Sequence, residues 1–208
     1  MSACSVDPIT LSAWSIICSM LQYQTIPVTP FQQNCSLVWD DQSRQAAVVD
    51  PGGDLELILA AVKTHGLRLE QIWITHGHLD HCGYLPVLVK NGFDGPIYAT
   101  EPTRYVTRII LNDSARIQME DAEEANRGGY SIHHPAKPLY NLDDVARTMP
   151  LFDTHNYGEW VIINEDFKFC FRNSGHILGS AIIELKCQGR TFIFSGDIGQ
   201  HQPLLMDP

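Results

Sequence analysis

The chain has 208 residues, 44% of them hydrophobic and 18% charged. That composition excludes a disordered protein and lets a single domain bury roughly 70% of the surface its unfolded form exposes. Its net charge of −10 argues against unaided binding to nucleic acid, whose affinity comes largely from Lys and Arg neutralising phosphates.

Residues 11–21 are apolar but too short to span a bilayer, and no Lys or Arg precedes them, so neither a membrane anchor nor a secretion signal is expected. Residues 1–19 read as a leader or extension of unknown role, with Met20 an alternative start, and 20–208 as one domain. Ser36–Trp39 and Ala46–Val49 are short apolar runs around a polar stretch and predict a hairpin. After the turn Asp50-Pro51-Gly52-Gly53, Asp54 is expected to cap a helix with apolar Leu55, Ile58, Leu59 and Val62, stopped by Gly66. A strand at Gln71–Ile74 follows. Tyr84–Lys90 reads as helix and Pro96–Ala99 as extended. Thr100 and Pro102 then open a long helix toward Arg127, ended by Gly128-Gly129. Residues 131–150 hold three prolines and read as a surface excursion with one helical turn at Asp143–Arg147, leaving His133 and His134 in solvent. Strands are expected at Trp160–Ile163, Phe167–Phe171, Ala181–Leu185 and Thr191–Phe194. Strands and helices in both halves indicate a layered α/β protein.

The densest chemical signal is Thr75-His76-Gly77-His78-Leu79-Asp80-His81, directly after the predicted strand. Two histidines one residue apart in extended chain point the same way and can share an ion. Asp80 and His81 are adjacent, which sends them apart and suits a second ion beside the first. Imidazole and carboxylate without thiolate favour zinc, with Mn²⁺ and Fe²⁺ also compatible, at two ions per chain. Cys82 reads as a small buried neighbour rather than a ligand.

Six cysteines, at 4, 18, 35, 82, 170 and 187, contain no Cys-x-x-Cys and point to reduced thiols and a cytoplasmic location. Two glycine-flanked loops at strand ends supply further ligands, His176 in Asn173–Ser180 and Asp197 in Ser195–Gly199. Glycine lets backbone pass close to a site. His176 completes three nitrogens around the first ion, and Asp197, with two oxygens, bridges to the second.

Through Asp50, the Thr75–His81 motif, His176 and Asp197, in that order, the chain resembles the metallo-β-lactamase-fold hydrolases. The resemblance covers nearly everything after Met20 and implies a four-layer αββα sandwich with a dinuclear zinc site at one edge of the sheets. Within the superfamily it divides. Residues 25–83, with Gln33–Trp39 and Val49–Gly53, are similar to glyoxalase II-type thioesterases. From Gly83 onward, Gly83–Pro86, Lys90–Phe93, Gly95–Thr100, Gly175–Ala181 and Phe194–Gly199 are similar to β-CASP RNA-processing nucleases, as a composite gene would be. Both groups place a further metal-binding histidine downstream of the bridging aspartate, so the resemblance implies a sandwich incomplete at the C-terminus and a second site short of a ligand. His201 lies only four residues after Asp197 and reads as a solvated tail residue.

The expected protein is a zinc-dependent hydrolase that uses a metal-bound hydroxide and leans toward RNA phosphodiester hydrolysis. Its ligands are His76, His78 and His176 for one ion, Asp80 and His81 for the other, and Asp197 between them. Asp80 also serves as catalytic base, and Asp50 orients ligands from behind. A small-molecule hydrolase acting on thioesters, lactones or β-lactams is the rival enzyme, and a non-catalytic metal-binding fragment the rival from another class. RNA or a small ester or thioester is the expected partner, no membrane is, and an exposed apolar sheet edge would favour a homo-oligomer.

Overall fold

The computed structural model describes residues 20–199. The expected leader at 1–19 and His201 lie outside the described residues. Two sheets face each other. Strands β1 (Leu21–Val28), β2 (Gln33–Asp40) and β3 (Gln45–Val49) form an antiparallel meander, and β3 continues in parallel through β4 (Arg68–Trp73), β5 (Ile97–Ala99) and β6 (Phe152–Thr154). The second sheet is antiparallel, in the order β10 (Arg190–Phe194), β9 (Ala181–Cys187), β8 (Phe167–Asn173), β7 (Trp160–Ile162).

Alternation along the strands divides the apolar residues between two cores. On one face of the first sheet, Leu37, Val48, Ile72, Ile74 and Ile97 pack with helices α1 (Leu55–Thr64), α3 (Leu85–Lys90), α4 (Glu101–Gly128) and α5 (Leu142–Thr148). On the other face, Val38, Ala47, Val49 and Trp73 meet Phe169, Phe171, Ile183 and Leu185 of the second sheet. Trp73 and Phe169 lie with ring centroids 4.6 Å apart, and each fully buried ring contributes about 1.5–3 kcal/mol. The described residues therefore show three layers of the expected αββα arrangement. The outer face of the second sheet carries no helix among them.

Three local expectations change. Asp54 stands at the start of α1 but makes no side-chain cap; its carboxylate accepts from the Thr29 backbone N–H at 2.7 Å and ties the β1–β2 turn down. Residues 131–150 are more than a surface excursion, because Asn141 and Asp144 form a capping box that starts α5 and buries Tyr140 and Val145 against the helical core. Strand β6 was not foreseen: at three residues it is too short to show alternation. His133 and His134 are exposed, as expected.

Candidate metal centre

Every proposed ligand lies at the end of the sandwich where the parallel strands finish. After β4 the chain passes through Thr75–His78 into the one-turn helix α2 (Leu79–Cys82), which carries Asp80 and His81. Gly52 permits this path: a Cβ there would lie 1.6 Å from the Asp80 carbonyl oxygen. His176 sits in the β8–β9 loop and Asp197 after β10. The two sheets are stitched at this end by the Ala181 N–H, which donates to the Thr75 carbonyl at 2.8 Å.

The ligand atoms fall into two groups. His76, His78, His176 and Asp197 each offer one atom to a cluster with all members within 4.8 Å of one another. Within it His78 Nδ1 lies 3.0 Å from His76 Nε2 and 3.3 Å from His176 Nε2, while Asp197 Oδ2 lies 3.4 Å from His176 Nε2 and 3.8 Å from His76 Nε2. Tetrahedral ligands about 2.1 Å from a zinc ion sit about 3.4 Å apart, so these spacings fit one cation. In the second group His81 Nε2 lies 3.7 Å from Asp80 Oδ2 and 3.6 Å from Asp197 Oδ1. Asp197 thus turns one oxygen to each group. Neighbours on a strand would diverge, but Asp80 and His81 are on a helical turn and their ligand atoms converge.

Buried His81 Nε2 has no hydrogen-bond partner, an uncompensated position that a cation between it and the two carboxylates would relieve. Its other nitrogen, Nδ1, meets Asp50 Oδ2 at 3.0 Å. Burial lowers the His81 pKa, but the hydrogen bond and charge of Asp50, aided by Asp80 and Asp197, outweigh it and raise the pKa above the usual value. Asp50, itself buried, also accepts from the Thr75 N–H at 2.8 Å and the Thr75 hydroxyl at 2.6 Å. With its proton committed to Asp50, Thr75 Oγ1 can only accept from His76 Nδ1, 3.1 Å away. One carboxylate therefore directs the free Nε2 of both His76 and His81 into the site. Burial, with the charges of His81, His78 and His176, lowers the His76 pKa to about 2, which keeps that imidazole neutral. Burial and His176 also lower that of His78, against the opposing pull of Asp80 and Asp197.

The loop bearing His176 is held by residues that its own sequence does not identify. Thr100 and Thr103, both buried at the start of α4, donate their hydroxyls to the Gly179 carbonyl at 2.7 Å each. Ser180 Oγ accepts from the His176 and Ile177 N–H groups, and the Tyr157 hydroxyl donates to the Ser180 carbonyl at 2.9 Å. The cap signature of Thr100 was legible; its partner 79 residues away was not. Cys82 is buried, its thiol donating to the Gly77 carbonyl at 3.5 Å, and it is not among the clustered donor residues.

Residues 28–161 match the Metallo-beta-lactamase superfamily. The chain belongs to that superfamily. Over 142 residues, 68% of this chain and 29% of the relative, it is 31% identical to a ribonuclease of Thermus thermophilus. Over 118 residues, 56% of this chain and 16% of the relative, it is 41% identical to the transcription termination factor FttA of Pyrococcus horikoshii. The chain thus spans less than a third of either relative. Among solved structures, the BLEG-1 B3 metallo-beta-lactamase superposes with a TM-score of 0.56 at 23% identity, covering 89% of this chain and 79% of that one. That superposition shares the superfamily's fold. No helix among the described residues is long and apolar enough to cross a membrane.

Proposed function

We propose that this superfamily member is a zinc-dependent hydrolase that cleaves phosphodiester bonds in RNA. The observation that carries the metal reading is the pair of ligand groups sharing Asp197, with His81 Nε2 buried and partnerless between the carboxylates. His76, His78 and His176 would hold one ion, Asp80 and His81 the other, and Asp197 both. The donor set, nitrogen and carboxylate oxygen without thiolate, suits zinc. Support for RNA comes from the relatives named as a ribonuclease and a transcription termination factor.

When bound, the cations supply Lewis acidity toward a phosphoryl oxygen and acidify the attacking water. The chain's part is to orient that water and receive its proton. What supports Asp80 in this role is its half-buried position at the rim with Oδ2 turned toward His81 Nε2; its carboxylate would take the proton as the water oxygen attacks phosphorus and the P–O bond to the leaving group breaks, and return it to the departing oxygen. Asp50 and Thr75 hold His76 and His81 in the tautomers that present Nε2.

One observation favours a second reading, hydrolysis of a small ester or thioester. Beside Asp80 lies a recess of about 480 Å³ lined by Phe31, Leu79, Tyr84, Leu139 and Tyr140, apolar and without a cation to meet phosphate. Elemental analysis and a paired assay separate the readings. Two zinc ions per chain and chelator-sensitive cleavage of labelled single-stranded RNA are expected. Intact RNA with hydrolysis of a glutathione thioester selects the second reading, and one ion per chain without turnover selects a non-catalytic metal-binding protein.

A further inference from the structure

Two recesses at the metal centre meet at Phe31 and Asp80, which line both. One, of about 410 Å³, is polar and reaches His81 and Asp197. The other is the apolar recess of about 480 Å³ beside Asp80, and no Lys or Arg lines it among the described residues. The charges near it are negative: Asp80 in its wall, and Asp54 and Glu56 near Tyr84, whose pKa burial and those two charges raise. A phosphate or carboxylate is repelled from such a place. What it admits is the uncharged part of a substrate whose anionic part lies on the cations.

An uncovered apolar wall suits many neighbours, but the inner wall of this recess is not wholly apolar. There the Tyr140 and Ser114 hydroxyls share one hydrogen bond, 2.9 Å long. Gln118 Nε2 also donates to Ser114 Oγ at 3.0 Å, while its Oε1 accepts from the Leu139 N–H at 3.0 Å, which fixes the orientation of the amide. Two hydroxyl protons thus have one bond between them, and the second finds no acceptor among the described residues. A hydrocarbon chain in the recess would leave that donor unpaired, whereas a flat ring with an acceptor on its edge satisfies it. The mouth carries a matching platform. Phe31 stands 83% exposed in the β1–β2 turn, between Thr29 at φ +65° and Gln32 at φ +54°. Positive φ is unfavourable for these side chains, most of all for β-branched Thr. Asp54 holds the Thr29 N–H from outside the turn, and Thr29 Oγ1 accepts from the Phe31 N–H at 3.3 Å. The turn therefore carries strain that keeps one aromatic ring at the rim of the metal centre. Resting on the RNA reading above, we propose that the apolar recess takes the nucleobase beside the scissile phosphate, its face stacked on Phe31 and its acceptor edge turned to the Ser114 and Tyr140 hydroxyls.

The test is isothermal titration calorimetry of the zinc-loaded full chain with the four nucleoside 5′-monophosphates, with ribose 5-phosphate, which lacks the base, and with hexyl phosphate, which replaces it by hydrocarbon. Stacking of a base on an aromatic side chain corresponds to about 5- to 150-fold in affinity. At least one nucleotide is expected to bind tighter than ribose 5-phosphate by a factor in that range, and tighter than hexyl phosphate. Phe31→Ala should remove most of this advantage and leave the affinity for ribose 5-phosphate unchanged, while Phe31→Trp keeps the advantage. Zinc content and far-UV circular dichroism report that both variants are folded. Nucleotides that bind no better than ribose 5-phosphate, or whose advantage survives Phe31→Ala, overturn the proposal. So does hexyl phosphate that binds tighter than every nucleotide and loses its affinity in Phe31→Ala, which would assign the recess to the apolar part of a small ester. Cleavage of labelled RNA with nucleotide binding indifferent to Phe31 overturns this inference alone. Nucleotide binding that depends on Phe31 in a chain that leaves RNA intact overturns the function reading alone.

Discussion

Asp50→Asn tests the claim that one buried carboxylate sets the protonation of two ligands. Asp50 has φ +52°, a left-handed conformation that Asn tolerates as well as Asp, so the backbone has no reason to move. With Oδ1 kept on the Thr75 N–H, the new amide NH₂ replaces Oδ2 and donates to the Thr75 hydroxyl and toward His81 Nδ1, where Oδ2 accepted at 2.6 and 3.0 Å. Thr75 then turns its own proton to His76 Nδ1, and both imidazoles are driven to carry a proton on Nε2, the atom each offers to the metal. A partner behind a metal ligand is worth about 10- to 100-fold in affinity, or about 1.4–2.7 kcal/mol. Because two ligands are affected, the upper end is expected for Asp50→Asn. Thr75→Val interrupts only the His76 branch and should fall at the lower end. Competition for zinc against a chromophoric chelator measures both. Two ions bound to Asp50→Asn with wild-type affinity would refute the reasoning.

Gly52→Ala should destabilise by at least about 3 kcal/mol, read from the urea midpoint, since its Cβ would meet the Asp80 backbone 1.6 Å away. Thr103→Val removes one of two hydroxyls on the Gly179 carbonyl, which keeps that of Thr100; a loss of about 0.5–1.5 kcal/mol is expected, with Thr103→Ser restoring it. Asp144 is nearly fully buried; burial raises its pKa, but the Asn141 N–H, Arg147 and Lys90 outweigh that and bring it below 3.8. Its depressed folded pKa makes the ionised form stabilising, fully so above 3.8 and lost as pH falls through the folded value. Asp144→Asn should therefore cost about 1–2 kcal/mol at pH 7, and the gap in thermal stability from wild type should close as pH drops below 3.8. Stripping zinc from chain saturated about 1,000-fold above Kd should cost about 4 kcal/mol and lower Tm by about 8–16 °C.

The candidate donors that the structure brings together were marked by residue spacing, because a metal demands several donors of restricted type and three stretches concentrate them: Thr75–His81 by density, Asn173–Ser180 and Ser195–Gly199 by glycines flanking a donor. What escaped is whatever depends on a partner distant in sequence. Asp54 has the right type and position for a helix cap, yet the Thr29 N–H, 25 residues earlier, offers it a better partner. Likewise the Asn141–Asp144 box was hidden in a stretch whose prolines suggested loop, and its consequence, a buried Tyr140, is set by α4 and not by neighbours in sequence. Asp80 and His81 show the same limit in geometry. Their type and order indicated a second ion, but the argument that adjacent residues diverge holds for strands, and a single turn of helix brings their donor atoms to 3.7 Å.

The placement of the donors also says what the metals would do for the fold. His76, His78, Asp80 and His81 follow the last residues of a strand in the first sheet, while His176 and Asp197 follow strands of the second. Protein contacts across this end include the Ala181–Thr75 backbone hydrogen bond and the two threonine hydroxyls on Gly179. Each cation would accept ligands from both sheets, since Asp197 belongs to both groups and His176 to the first. Metal binding and closure of this end of the sandwich are then one equilibrium, because neither group is complete until the sheets meet. The four imidazoles and two carboxylates crowded here are poorly satisfied by one another, as the partnerless His81 Nε2 shows. Cations holding both sheets would convert that crowding from a cost to the fold into the feature that fixes the site's geometry.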